Sequence, residues 1–281
     1  MREDLERLRA RIDELDSALL DLLVERMRCV GEIAELKRSD ETAELALRPA
    51  REARILRRLV ARAGSAFPPD TLVQIWRELF AAALRAQGPV AVAVCPGELW
   101  SVARDHFGVA TRLIAVTRPA RALGLLEEGR AQLVLLQAPG EEDDWWWELA
   151  EAEPLPLRVL ARLPFLCGPG REVRTPALLL GQLPLEPTGE DLSLLAVGLE
   201  EGTSRSRLAA LLHQAELRPR WFQSRYDQRR ARSWHLVEVE GFHDGYSGRL
   251  HQALAPLGAR LVKLACLGAY PRPLELDGIP G

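Results

Sequence analysis

Arg26, Lys37 and Gln87 are the residues whose types and spacing suggest chemistry, and the chemistry they suit is the grip of a small dianion. Leu5, Leu8, Ile12, Leu15, Leu19 and Leu22 step by three or four residues, which keeps them on one face of a helix. The next position of that seam is Arg26, and Cys29, Ile33 and Leu36 continue it. A guanidinium embedded in an apolar stripe costs several kcal/mol unless an anion meets it. Lys37 follows about three whole turns later, on the same face and roughly 16 Å along the axis, so a dianion fits between the two cations. Arg9 lies about a quarter-turn off that face and roughly 25 Å away, within reach of the same ligand only if a second copy of the helix delivers it.

The elements that must position these groups follow from periodicity. A first helix from Glu3 to Arg38 would be a rod of roughly 54 Å, longer than a small domain is wide, which points to an intertwined homodimer. Ser39 to Leu47 reads as a polar connection. The second helix opens at Arg48-Pro49-Ala50-Arg51-Glu52, with proline in the first turn where its missing donor does no harm, and Gly64 ends it. A third helix follows Pro68-Pro69-Asp70 with Leu72, Ile75, Trp76, Leu79, Phe80 and Ala83 facing inward; Gln87 lies one turn beyond Ala83, and Gly88-Pro89 stops the helix.

From Val90 the pattern changes to short apolar runs, Val90 to Val94, Arg112 to Val116, Gln132 to Leu136 and Arg158 to Leu163, alternating with helical pieces at Ser101 to Phe107 and Ala120 to Glu128. This is a small α/β lobe. Within it, Trp145-Trp146-Trp147 point around a helix, and packing between domains is favoured over ligand stacking. Leu192 to Pro271 reads strand, helix, strand, strand, helix, strand, a ferredoxin-like βαββαβ order. The expected architecture is therefore multidomain: an all-α three-helix unit at 1–88, an α/β lobe at 89–188 and a βαββαβ unit at 189–281.

A net charge of −3 and a pI near 6.0 argue against a general nucleic-acid or membrane-surface binder. The basic run from Arg225 to Arg232 spans a hairpin turn and is read as solvated. Cys29, Cys95, Cys167 and Cys266 have neither metal-ligand nor disulfide spacing and are expected to be buried thiols. His106, His213, His235, His243 and His251 lack ligand spacing and are expected at surface or half-buried positions. No metal and no cofactor is implied. The charged start MREDLERLRA lacks an apolar signal core, and no later run approaches ~18 apolar residues, so a cytoplasmic protein is expected.

Residues 1 to 87 resemble the all-helical class of chorismate mutases. The pattern is an early arginine, an arginine in an E-R pair, a lysine one long stride later, an R-E pair opening helix two and a glutamine closing helix three: Arg9, Arg26, Lys37, Arg51, Glu52 and Gln87. The resemblance implies that Arg26, with Arg9 from the partner chain, holds the two carboxylates of chorismate. Lys37 and Gln87 then donate to its ether oxygen, while Arg51 and Glu52 position the ring and its hydroxyl. Two positions depart from the family: Arg48 stands where an aspartate is frequent, and Ala83 where a serine is frequent. Neither touches the breaking bond, and Arg48 could offset the lost hydroxyl electrostatically, so the substrate-binding set includes it.

Rearrangement of chorismate to prephenate is unimolecular and needs no nucleophile, metal or proton transfer, so a site helps by holding the folded conformer and stabilising charge on the departing oxygen. Arginines grip carboxylates bidentately, and a preorganised donor at the ether oxygen is worth roughly 3 kcal/mol. Gln87 is a neutral donor at ordinary pH, which predicts a flat rate profile from about pH 5 to 8. The bland alternative is a salt-bridged bundle in which Glu25, Glu32 and Glu35 pair with the cations. Arg26 on the seam, Gln87 on another apolar face and Arg51 beside Glu52 are hard to explain together as surface decoration.

The α/β lobe resembles part of a prephenate dehydratase domain. That family carries a catalytic threonine-arginine-phenylalanine motif where this chain has Thr175-Pro176-Ala177, which implies no dehydratase activity. The last portion resembles an ACT regulatory domain through Gln223-Ser224-Arg225, the VEVEGFHD segment and Leu267-Gly268-Ala269-Tyr270-Pro271. Ser206-Arg207-Leu208 replaces the glycine-alanine-leucine turn of its phenylalanine site, and an arginine side chain there obstructs the close approach that glycine permits, so dimerisation is the expected role rather than feedback. The leading reading is a homodimeric chorismate mutase. Its alternatives are a bifunctional mutase and dehydratase, or a non-catalytic regulator of another shikimate-pathway enzyme.

Overall fold

A computed structural model describes residues 1–38, 45–140, 143, 145–153, 155, 157–168, 176–228, 230–245 and 248–276. The N-terminal unit is three helices, α1 (Arg2–Arg38), α2 (Pro49–Ala63) and α3 (Pro69–Gln87). Proline stands in the first turn of both α2 and α3, and Gly64 with φ 53° terminates α2, a conformation in which a side chain would be strained. α2 and α3 form a hairpin through Ala53, Leu56, Val60, Leu72, Val73 and Phe80, and this cluster continues onto Phe165 and Leu166 of the α/β region.

α1 contacts α3 only near its C-terminal end, where Val30 and Ala34 are buried. Every residue from 1 to 25 is exposed. The expected continuation of the seam through Cys29, Ile33 and Leu36 is therefore corrected: these are exposed, and the inward stripe is Val30 and Ala34, one position over. A single residue turns a helix face by about 100°, so α3 meets one stripe and leaves the leucine stripe bare.

The rest of the chain builds one nine-stranded sheet. Its strands are β1 (Ala91–Cys95), β2 (Arg112–Ala115), β3 (Leu133–Gln137), β4 (Arg158–Leu163), β6 (Ala177–Gly181), β7 (Asp191–Glu200), β8 (Pro219–Asp227), β9 (Arg232–Glu240) and β10 (Leu261–Pro271), in the order β2-β1-β3-β6-β4-β10-β7-β9-β8. A separate pair joins β5 (Leu166–Cys167) to β11 (Leu274–Glu275). β1 is parallel to β2 and β3, as connections through α4 (Trp100–Phe107) and α5 (Pro119–Glu127) require. β6 was not read as a strand from sequence; it inserts antiparallel between β3 and β4.

The C-terminal unit alternates β7, α7 (Arg205–Gln214), β8, β9, α8 (Gly248–Leu254) and β10, with β10-β7-β9-β8 pairing antiparallel throughout. This is the ferredoxin-like split arrangement expected from its element order. α7 and α8 cover one face through Leu208, Leu211, Leu212, Leu250 and Leu254. The opposite face is covered by α6 (Trp145–Glu151): Trp145 and Trp146 are buried in the cluster that includes Leu192, Leu194 and Trp234. Trp147 is half-buried beneath the Arg225 guanidinium, 5.4 Å from the ring centre. The tryptophans thus pack the lobe against the βαββαβ unit.

The two parts of the sheet meet where Gly268 of β10 pairs with Val159 of β4. A Cβ at Gly268 would lie 2.1 Å from the Val159 carbonyl oxygen, so only glycine permits this approach. A register shift between Cys266 and Gly268 on the β7 side marks the same place as a bulge. Two expectations about single residues are corrected here. Cys29 is exposed rather than buried, because its stripe faces away from α3. His235 and His243 are buried rather than superficial, because they lie in or beside the inner strands β9 and β7. Among the described residues no helix is long and apolar enough to cross a membrane, and no group of three or more His, Cys, Asp or Glu could hold a metal ion.

Candidate active site

The three helices of the N-terminal unit enclose a cleft of about 420 Å³ that is open to solvent. Arg26 and Lys37 enter it from α1, Arg48 from the residue preceding α2, Arg51 and Glu52 from the first turn of α2, and Gln87 from the end of α3. Val30, Ile55, Trp76, Phe80 and Leu84 supply its apolar walls. The sequence places Arg51 and Glu52 here because Pro49 starts α2 beside the end of α1, and it places Gln87 here because α3 runs its full length before Gly88 stops it.

Arg26 is half-buried, and its Nη1 donates to the Leu79 carbonyl at 3.4 Å while its guanidinium lies 5.9 Å from the centre of the Phe80 ring. Burial, and then the charge of Arg51, lower its pKa from the ordinary value. Two cations thus converge with no carboxylate on Arg26 among the described residues, the arrangement of a site prepared for an anion. Lys37 is half-buried with no hydrogen-bond partner among the described residues. Arg48 is held by an ion pair with Glu186, which Arg54 also approaches at 3.8 Å.

Gln87 lines the cleft, but its Nε2 donates to the Ala83 carbonyl one turn earlier, at 3.1 Å. Ala83 therefore offers a backbone acceptor and no hydroxyl. Glu52 is largely occupied: Arg77 Nη1 donates to its Oε2 at 2.7 Å, and both side chains are nearly enclosed. Burial pushes the Glu52 carboxyl up from its ordinary value while the adjacent Arg77 charge and hydrogen bond pull it down. Arg77 was missed from sequence. The available signal was its place in α3 between Trp76 and Phe80, an interior position that Arg can occupy only with a partner.

Arg9 is the one expected member that the cleft of this chain does not contain. It is exposed on the free part of α1, as the axial distance from Arg26 requires. Thr175, the residue singled out in the dehydratase-like segment, lies outside the described residues; Pro176 and Ala177 follow it into β6.

Residues 8–88 match the family model described as chorismate mutase type II. That match takes in most of α1 and the whole of α2 and α3. Two curated relatives are bifunctional chorismate mutase/prephenate dehydratases, from Stutzerimonas stutzeri at 34% identity and from Pseudomonas aeruginosa at 31%, each over 112 residues that make up 38% of this chain. The match covers 31% of each relative, so the chain spans under a third of the length of the relatives it matches. Among solved structures, one described as GqqA, a novel type of quorum quenching acylases, is similar over 64% of this chain and 94% of its own, with a TM-score of 0.51 and 17% identity, a likeness of fold alone. A prephenate dehydratase from Streptococcus mutans is similar over 66% of this chain and 100% of its own, with a TM-score of 0.48 and 14% identity. The residues matched by the mutase family model thus precede the mixed α/β sheet, and the cleft just described lies wholly inside them.

Proposed function

We infer that the chain acts as a cytoplasmic, homodimeric chorismate mutase, converting chorismate to prephenate in aromatic amino-acid biosynthesis. The observation that carries this reading is the convergence of Arg26, Lys37, Arg51, Glu52 and Gln87 on one cleft within residues matched by the mutase family model. Arg26 and the partner's Arg9 would take the two carboxylates, Arg48 and Arg51 would add positive potential, and Glu52 would meet the ring hydroxyl through its free carboxylate lone pairs. Lys37 and Gln87 would donate to the ether oxygen as negative charge grows there. The Gln87 tether to Ala83 is a neutral hydrogen bond worth about 1 kcal/mol, which a ligand oxygen readily replaces.

A second chain would bring Arg9 within reach of a ligand held by Arg26, which the axial distance within one helix does not allow. The bare leucine stripe of α1 supports its arrival: Leu5, Leu8, Ile12, Leu15, Leu19 and Leu22 are all exposed in the single chain. Pairing α1 with another α1 removes this stripe from water and brings Arg9 to the far cleft. The functional division we propose is 1–88 for the mutase, 89–188 for a dehydratase-like lobe and 189–281 for an ACT-like unit, the last two sharing one sheet. The proline and alanine that follow Thr175 supply neither the guanidinium nor the ring of the dehydratase motif, which supports a mutase without dehydratase activity.

Loss of chorismate absorbance with the purified protein tests the reading. Arg26→Ala and Gln87→Ala should each lower kcat/KM by about 10²–10³-fold, with no phenylpyruvate formed from prephenate by any form. Absence of turnover in the unaltered protein would reject the mutase reading in favour of a regulator, and phenylpyruvate formation would favour the bifunctional one.

A further inference from the structure

A second cavity, of about 260 Å³, lies at the seam between the lobe and the βαββαβ unit, lined by residues of β3, β4, β6, β7, β8, β9 and β10. We propose that it binds a small carboxylate with an apolar body, a reading independent of the mutase cleft. The volume falls just under the range of about 300–1,000 Å³ usual for small-molecule sites, and the lining is mostly apolar with a few convergent polar groups, the composition such sites share.

The polar centre is Arg162. Its Nη1 donates to both carboxylate oxygens of Glu238, at 2.7 and 2.8 Å, and the Tyr270 hydroxyl donates to the same carboxylate at 2.8 Å. Glu238 and Tyr270 are buried, whereas the Arg162 side chain keeps 32% of its surface exposed. Glu238 is therefore saturated from within the wall, and the guanidinium is fixed by one nitrogen only. Its Nη2 and Nε have no hydrogen-bond partner among the described residues, leaving a planar donor edge whose orientation is set by a buried carboxylate. Such an edge matches a carboxylate bidentately. The carboxamide of Gln223 lines the same cavity and likewise has no hydrogen-bond partner among the described residues, which offers a second donor.

The apolar body has its own surface. Leu194, Glu238 and Trp221 are cross-strand neighbours in one row across β7, β9 and β8, and Leu178 pairs with Arg162 across β6 and β4. Both rows line the cavity, so a ligand whose carboxylate meets Arg162 lays its body between the Trp221 indole and the Leu178 and Leu194 side chains. A buried ion pair is rarely worth more than an apolar replacement of equal volume, so Arg162 and Glu238 do not need to be there for stability alone. The juxtaposition exists only because Gly268 lets β10 approach β4.

The test is calorimetric titration of the full chain with 3-phenylpropionate and with its neutral counterpart 3-phenylpropanamide. The acid should bind saturably and the amide at least tenfold more weakly. Arg162→Lys keeps a cation for Glu238 but removes the second edge, and should weaken the acid at least tenfold with the thermal midpoint unchanged. Gln223→Leu should weaken it severalfold. Arg26→Ala should leave it unaffected, which separates this cavity from the mutase cleft. Equal affinity for acid and amide, no saturation below about 10 mM, unchanged binding by a folded Arg162→Lys protein, or loss of binding in Arg26→Ala would each overturn the proposal.

Discussion

Arg77 of α3 donates to Glu52 of α2 at 2.7 Å directly beneath the helical cleft, and the same guanidinium lies 5.3 Å from the centre of the Phe165 ring in the α/β region. One buried cation thus orients a cleft carboxylate and ties the helical hairpin to the rest of the molecule. Arg77→Met leaves the Glu52 charge buried without its partner and should cost about 3–5 kcal/mol in denaturant unfolding. Adding Glu52→Gln removes the stranded charge, so the double variant should regain much of that loss. An additive double variant would show that the pair is not coupled.

Gly268→Ala tests the junction of the sheet. The new methyl would meet the Val159 carbonyl oxygen at 2.1 Å and the Val159 Cβ at 2.7 Å, both on a central strand that cannot retreat. Overpacking of this kind costs about 1–3 kcal/mol. Gly97→Ala, whose added Cβ has nothing within 4 Å, should stay within about 0.5 kcal/mol of the parent. Comparable melting of the two variants would refute the close-approach argument.

The fold was legible where one local pattern decided it. Three helices, the proline starts, the glycine stops and the strands of β1 to β3 follow from periodicity and punctuation within short windows. β6 was not legible, because Leu178 to Leu180 form a brief apolar run beside residues that resemble a loop, and only its neighbours β3 and β4 make it a strand. Continuity of the sheet across Gly268 was hidden for the same reason: it depends on a contact between residues more than a hundred positions apart. At the cleft, residue types with special chemistry on apolar faces gave Arg26 and Gln87. Arg77 escaped because its partner Glu52 comes from another helix, and sequence spacing carries no record of that meeting.

Buried histidine gives a pH dependence. His235 Nδ1 lies 2.9 Å from Ser224 Oγ, and burial, followed by the charge of Arg205, pushes its pKa down to about 4 from 6.5. A depressed folded-state value means that the contribution is fully present above pH 6.5 and is lost as pH falls through 6.5 toward 4. The loss amounts to about 3 kcal/mol when the ring is protonated in the unfolded chain only. His243 and His106 shift in the same direction, so the quantity to measure is the difference in unfolding free energy between the parent and His235→Gln at pH 7.5 and at pH 4.5. The parent should lose more on acidification; parallel curves would exclude His235 as a source.

Subunit mixing tests whether two chains share each helical cleft. Arg9 is exposed on the free portion of α1 while Arg26 lines the cleft of its own chain, so Arg9→Ala and Arg26→Ala would damage groups that the proposed dimer contributes from opposite subunits. Each variant alone should be nearly inactive, because both clefts of its symmetric dimer carry the same lesion. In a mixed dimer, one cleft takes both substitutions and the other takes neither. Random reassociation of equal amounts makes half the dimers mixed, and activity should recover to about a quarter of the parent level. Leu15→Glu with Leu19→Glu, which places charge on the bare stripe, should give monomers by light scattering and no recovery on mixing with either variant. Failure of the arginine variants to complement after verified exchange would mean that Arg9 does not serve the partner's cleft.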